Sequence, residues 1–170
     1  MGVFRRHELF FFTATILKWK HLLKPIKYKN IIINSLGFLV SQHRVVIHAF
    51  VIMDNHLHII WQIIAPNSRE AVQRDFLKYT AQMIKFDLID HHPEVLSYFK
   101  VNAKDRAYQF WERNSLSVNI WTEAVLIQKL NYIHENPVRA GIIDKATDYW
   151  YSSAKFYETG VDDFGFLTFY

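Results

Sequence analysis

Two apolar runs rich in β-branched residues, Arg44 to Met53 and His56 to Ile63, are separated only by Asp54-Asn55. Asp-Asn is turn chemistry. A connection this short joins neighbouring antiparallel strands, so the two runs are expected to form a β-hairpin. Side chains on a strand alternate between faces. His56 and His58 therefore point to one face, and Leu57 points the other way into a core. Two neutral imidazoles side by side make half of a divalent-metal site. A lone histidine in this position would more often be a satisfied core residue.

A second constellation lies near the C-terminus, in Asn131-Tyr132-Ile133-His134-Glu135-Asn136-Pro137-Val138-Arg139-Ala140-Gly141. It follows a run with helical spacing. Tyr132 and Asn136 are four residues apart and share a helix face. Tyr132 offers a phenolic oxygen that can act as a nucleophile, and Asn136 a neutral oxygen that can ligate a hard cation. The plainer alternative is a helix C-terminus whose tyrosine packs and whose asparagine caps. Tyr79, in Lys78-Tyr79-Thr80, is a rival nucleophile on another expected helix, although its spacing with Phe76 and Met83 suits a core position. His134 and Glu135 project from other faces and receive no role.

The chain has 170 residues, enough for one domain spanning 1–170 with a proper core. It has no cysteine, which excludes disulfides and thiolate metal sites and suits a reducing compartment. The apolar stretch Leu9 to Leu17 is too short to span a bilayer and lacks a signal-peptide cleavage site. A soluble, cytoplasmic protein without membrane association is expected. Net charge is +4, but it is unevenly spread. Residues 1–53 carry eight Lys and Arg against one acid, Glu8, whereas the remainder carries twelve against fifteen. A basic N-terminal third suggests a polyanion-binding surface, with Arg5, Arg6, Lys18, Lys20 and Lys24 as candidate DNA contacts. An ordinary solvated face is the alternative. Phe110, Trp111 and Trp121 could stack on unpaired bases or serve structure.

The order of elements is legible. Glu8 to Leu17 reads as a first strand. Ile26 to Gln42, after Pro25, has helical spacing. The hairpin follows. Asn67-Ser68 can cap a helix through Glu70 to about Leu88, with Val72, Phe76, Tyr79, Met83 and Phe86 expected to face the core. Residues 94–118 suggest one or two short strands and a loop. Thr122-Glu123 opens a last helix, and Pro137 is expected to end it at or near Asn136. This order is compatible with a ferredoxin-like α+β fold: an antiparallel sheet with helices packed on one face.

Met53-Asp54-Asn55-His56-Leu57-His58-Ile59-Ile60, Tyr132 to Gly141 and the tail Tyr151-Ser152-Ser153-Ala154 together resemble the REP-associated tyrosine transposases, within the HUH single-tyrosine transposases. The resemblance runs from about residue 8 to about residue 165. Asp54 stands where relatives often have proline, which affects the turn before the strand. Related transposases often carry glutamine four residues after the tyrosine, where this chain has Asn136. The resemblance implies the HUH transposase fold, with the His pair on a central strand and the second sheet face free for DNA. It further implies His56, His58 and Asn136 as ligands of one Mg²⁺ or Mn²⁺, and Tyr132 as the catalytic nucleophile. The activity implied is cleavage and rejoining of single-stranded or hairpin DNA through a 5′-phosphotyrosine, by a monomer or homodimer. Three alternatives stay open: a nucleic-acid-binding protein of the same fold without cleavage, a hydrolytic metalloenzyme with Asp54 as its only nearby carboxylate, and a structural protein with an incidental histidine pair.

Overall fold

The computed structural model describes residues 8–170, so Arg5 and Arg6 lie outside the described residues. The elements run β1 (Leu9–Thr15), α1 (Ile26–Ser41), β2 (Val45–Ile52), β3 (His56–Ile63), α2 (Arg69–His91), α3 (Pro93–Ser97), β4 (Leu116–Asn119), α4 (Glu123–Arg139) and α5 (Ala154–Thr159). Four strands form one sheet in the order β2-β3-β1-β4, antiparallel at every pairing. The α+β class, the hairpin and the central position of the His-bearing strand are as expected.

β3 is interior because it is apolar on both faces. Leu57, Ile59 and Trp61 point into one core with Phe10, Phe12 and Ala14 of β1. α1 and α2 cover that face through Tyr28, Ile32, Leu36 and Leu39 and through Val72, Phe76, Ile84 and Leu88. Ile60 points the other way, into a second core with Leu9, Phe11, Ala49, Val51, Leu126 and Ile133. That second face is not wholly free for DNA, because α4 lies across it. Leu126 and Ile133 are fully buried there, each contributing about 1.5–3 kcal/mol to holding the helix on the sheet.

Local rules account for the helix ends. Ser68 Oγ accepts from Ala71 N at 3.2 Å and caps α2, and Thr122 Oγ1 accepts from Val125 N at 3.2 Å and caps α4. The core face of α2 is Val72, Phe76, Thr80, Ile84 and Leu88, a strict i, i+4 row. Tyr79, Met83 and Phe86, expected in the core, are exposed. Tyr79 and Met83 lie one residue off that row, about 100° around the helix, and Phe86 lies two residues off it. Pro137 does not end α4 at Asn136; the helix runs on to Arg139. A proline there removes a single N–H close to the helix end. Its own carbonyl still accepts Ile142 N at 3.0 Å, and its ring is buried. Residues 94–118 include the short helix α3, opened by Pro93 in the first helical turn, where its missing N–H costs no bond.

The hairpin turn is tied to its surroundings. Buried Lys29 of α1 donates to Asp54 Oδ1 and to Leu23 O, both at 2.7 Å. Leu23 N donates to Asp54 O at 2.8 Å, and Ile16 N to Asn55 O at 2.9 Å. The tail after α4 closes the β2 edge: Ile52 N donates to Tyr151 O at 2.9 Å and Phe50 N to Ser153 Oγ at 3.0 Å. Ser153 Oγ also lies 2.8 Å from His134 Nε2, so the Tyr151-Ser152-Ser153-Ala154 motif clamps α4 to the sheet. Among the described residues, no helix is long and apolar enough to cross a membrane.

Burial pushes the His134 ring down to about 4. It also lowers His48, against two backbone hydrogen bonds that favour the charged form. In an unfolded chain both rings take up protons near pH 6.5. Stability is therefore full above that pH and falls as the pH drops toward 4, where the unfolded state holds more protons. Each extra proton contributes a slope of about 1.4 kcal/mol per pH unit. Urea midpoints are expected to fall clearly between pH 7.5 and pH 5, and the loss should shrink in His134→Gln. Equal midpoints at the two pH values would show that these rings fold in their charged form.

Candidate active site

The antiparallel register of β1 and β3 sets Thr13 opposite His58 and Thr15 opposite His56, all on the sheet face that carries α4. His58 is only 4% exposed. Its Nδ1 lies 2.7 Å from Thr13 Oγ1, and the Phe11 ring stacks against it at 5.2 Å. His56 sits beside it, ring centroids 5.0 Å apart, with Nδ1 2.7 Å from Asn55 Oδ1. Each Nδ1 thus has a partner from a neighbouring residue. The Nε2 of His58 is buried with no hydrogen-bond partner among the described residues.

Both rings are held neutral. Burial lowers His56, opposed by a hydrogen bond to the Asn136 side chain. His58 is pushed down to about 3, first by burial and then by the charges of His56, Lys129 and Arg139. A neutral imidazole keeps a lone pair at pH 7, the form a metal ion needs.

α4 brings the second constellation to the same place. Tyr132 lies edge-on to His58 with ring centroids 5.2 Å apart, and to Phe11 at 6.0 Å. Asn136, one turn further on, is 8% exposed and hydrogen-bonds His56. The four residues singled out in the two separate motifs therefore converge on one face. Tyr132 remains 41% exposed, so a large ligand can reach it. The rival Tyr79 is 51% exposed on α2, which packs on the opposite sheet face.

Two cations flank Tyr132. Arg139 Cζ lies 4.5 Å from its ring centroid and Lys129 Nζ 5.9 Å, while Arg139 Nη2 donates to Tyr132 O at 2.8 Å. Sequence reading missed both. The signal was present, since 129, 132, 136 and 139 follow helical spacing on one face. Thr13 could not have been found the same way, because its place beside His58 depends on strand register. Asn55 signals only turn chemistry in the sequence, and its contact with His56 appears only in the fold.

His56, His58 and the Asn136 amide oxygen form a compact neutral set, and the orphaned, buried His58 Nε2 is a polar atom in need of a partner. Among the described residues no third His, Cys, Asp or Glu joins the pair. The Asn136 side chain, hydrogen-bonded to His56, offers a neutral amide oxygen beside the pair. The residues fit a hard divalent cation that takes further oxygens from a phosphate.

The basic N-terminal segment divides in two. Lys27 pairs with Asp87, Lys29 with Asp54 and Arg44 with Asp75, so these serve the fold. Lys18 and Lys24 are exposed, while Lys20 donates to Tyr98 O at 2.6 Å. Phe110 and Trp111 are buried in the α2-side core and cannot stack on DNA. Trp19 is exposed, with its ring 5.7 Å from His56.

No protein-family model matches the chain. A Haemophilus influenzae protein that carries the provisional name REP-associated tyrosine transposase is 28% identical over 107 residues, covering 62% of this chain. The match spans 56% of that relative's length. A solved REP-associated tyrosine transposase bound to a REP hairpin superimposes with a TM-score of 0.67 over 96% of this chain and 90% of that one, at 17% sequence identity. At that identity the likeness is one of fold. The resemblance read from the two motifs therefore holds: this chain is similar in sequence to a REP-associated tyrosine transposase and has the fold of one.

Proposed function

We propose that this chain is a metal-dependent DNA strand-transfer enzyme that acts on single-stranded or hairpin DNA. The observation that carries the reading is the convergence of Tyr132 and Asn136 of α4 on His56 and His58 of β3, with His58 buried beneath and Tyr132 open to solvent. A hairpin as partner is supported by the REP hairpin bound in the structural neighbour.

His56, His58 and Asn136 would hold Mg²⁺ or Mn²⁺. Such an ion, when bound, polarises a scissile phosphodiester. The Tyr132 oxygen attacks phosphorus in line and loses its proton. The P–O3′ bond breaks, and the departing oxygen takes up a proton as a free 3′-OH. The strand stays on the enzyme as a 5′-phosphotyrosine, which keeps the bond energy for rejoining. Arg139 and Lys129, beside the Tyr132 ring, stabilise negative charge on the phosphate as it reacts. Thr13 and Asn55, by taking up the Nδ1 atoms, orient both imidazoles with Nε2 toward the site.

Tyr132→Phe deletes one oxygen from a half-exposed ring. It should leave fold and DNA binding intact and abolish the covalent adduct seen with labelled single-stranded hairpins and Mn²⁺ in denaturing gels. An adduct that survives in the Phe variant would place the nucleophile elsewhere. His56→Ala, His58→Ala and EDTA should each stop cleavage while binding persists, the behaviour that separates a cleaving enzyme from a binding protein of the same fold.

Removing an orienting partner should act one step back from the ligands. Thr13→Val and Asn55→Ala are expected to weaken Mn²⁺ binding roughly 10- to 100-fold, measured by titration with a hairpin present. Unchanged affinity in both would mean that the Nδ1 contacts do not support a metal site.

DNA binding should weaken with salt, with a slope of about 0.7 per neutralised phosphate on a single strand. Replacing Lys18, Lys20 and Lys24 with Gln should flatten the log–log plot. A slope that stays put would show that these lysines are only a solvated face and that the DNA lies elsewhere.

A further inference from the structure

Beyond the residues already assigned, the rim of the site holds an exposed aromatic side chain on a strained backbone. Lys18 and Trp19 are consecutive residues with φ of 54° and 56°, both in the left-handed region. L-residues with side chains avoid this region, and a bulky aromatic avoids it strongly. Two in succession persist only where surrounding contacts hold them, and such strain gathers at functional sites. The holding contacts are present. Glu112 Oε1 accepts Lys18 N at 2.7 Å, Trp19 N donates to Ile16 O at 2.8 Å, and Asn55 Nδ2 lies 3.4 Å from Trp19 O.

The strain does not bury the indole. Trp19 is 59% exposed, and its ring lies 5.7 Å from the His56 ring at an interplanar angle of 64°. The backbone clamp thus presents a large flat apolar surface to solvent at the edge of the His pair, with the exposed Lys18 cation next to it in the chain. Asn55 takes part in both arrangements: its Oδ1 meets His56 Nδ1 and its Nδ2 meets Trp19 O. The platform and the site are therefore braced by one side chain.

We propose that Trp19 is a stacking platform for one unpaired nucleobase of the strand that enters the site, with Lys18 facing the neighbouring phosphate. This inference rests on the function proposed above, which puts a phosphodiester at His56 and Tyr132. A base attached next to that phosphate is within reach of an indole at the rim. Every nucleobase has a π-face, so such a platform holds single-stranded DNA without choosing a sequence. Base-paired DNA keeps its bases stacked on one another and cannot use it.

The test uses the Tyr132→Phe protein, so that no strand is cut, and a DNA hairpin with and without a short single-stranded flank. 2-Aminopurine is placed at one flank position at a time, and its fluorescence and the affinity are read together. Quenching is expected at one flank position, lost in Trp19→Ala and retained in Trp19→Phe. Trp19→Ala should weaken binding of the flanked hairpin roughly 5- to 150-fold and leave the blunt hairpin unaffected. Quenching that survives Trp19→Ala overturns the proposal. So does an equal loss on both DNAs, which would show that the indole only supports His56. A flank that tightens binding regardless of Trp19 defeats this inference alone. A flank that adds nothing to affinity defeats the single-strand reading as well.

Discussion

The alternation of β3 at the centre of the sheet is the constraint on which the remainder depends. This strand is paired on both sides and buried on both faces. Leu57, Ile59 and Trp61 fill the α1/α2 core, while Ile60 fills the core beneath α4. A slip of one residue would drive His58 into the aromatic core and push Trp61 out of it. The direction of the His pair is therefore set by apolar burial elsewhere on the strand. The histidines do not have to secure it themselves. That burial has a consequence for their chemistry: a ring 4% exposed and pushed down to about 3 stays neutral, and the lone pair of its unprotonated nitrogen remains available.

α4 solves a complementary problem. A nucleophile has to be rigidly placed and yet reachable by a polymer. Leu126 and Ile133 anchor one side of the helix in the second core, Thr122 caps its start, and Ser153 ties His134 to β2. Lys129, Tyr132, Asn136 and Arg139 occupy the side that runs over the His pair. The depth of each residue suits its proposed part: Asn136 near the sheet, Tyr132 half-exposed above it, and the two cations where a phosphate would approach.

Charge in the N-terminal third has two uses that its sequence does not distinguish. Lys27, Lys29 and Arg44 are consumed by carboxylates on α2 and on the hairpin turn. The Lys29–Asp54 pair in particular pins α1 to the turn that leads into His56. A buried pair of this kind costs desolvation, and breaking one partner leaves an uncompensated charge. Asp54 is therefore a structural acid in this chain. Among the described residues of that third, Lys18 and Lys24 stay exposed for a polyanion, while Lys20 is bonded to Tyr98 O; all three are clustered in sequence near Trp19.

The hairpin, the common face of His56 and His58, the common face of Tyr132 and Asn136, and the α+β order of elements are all legible in the sequence. Each follows from local periodicity or turn chemistry, which act within a few residues. Local rules erred where a neighbour overrode them. The apolar spacing of α2 points to Val72 and Phe76, which are buried, but also to Tyr79, Met83 and Phe86, which are not, because apolar residues lie on more than one row and only packing against the sheet chooses between them. α4 passes through Pro137 because its ring finds a buried seat. Only the folded chain brings the helix face onto the strand face, sets Thr13 beside His58 and holds Trp19 open at the rim. Those contacts join residues from 37 to 80 positions apart in the chain. Their physical cause is strand register and the burial of two separate cores, and neither leaves a mark in any short stretch of sequence.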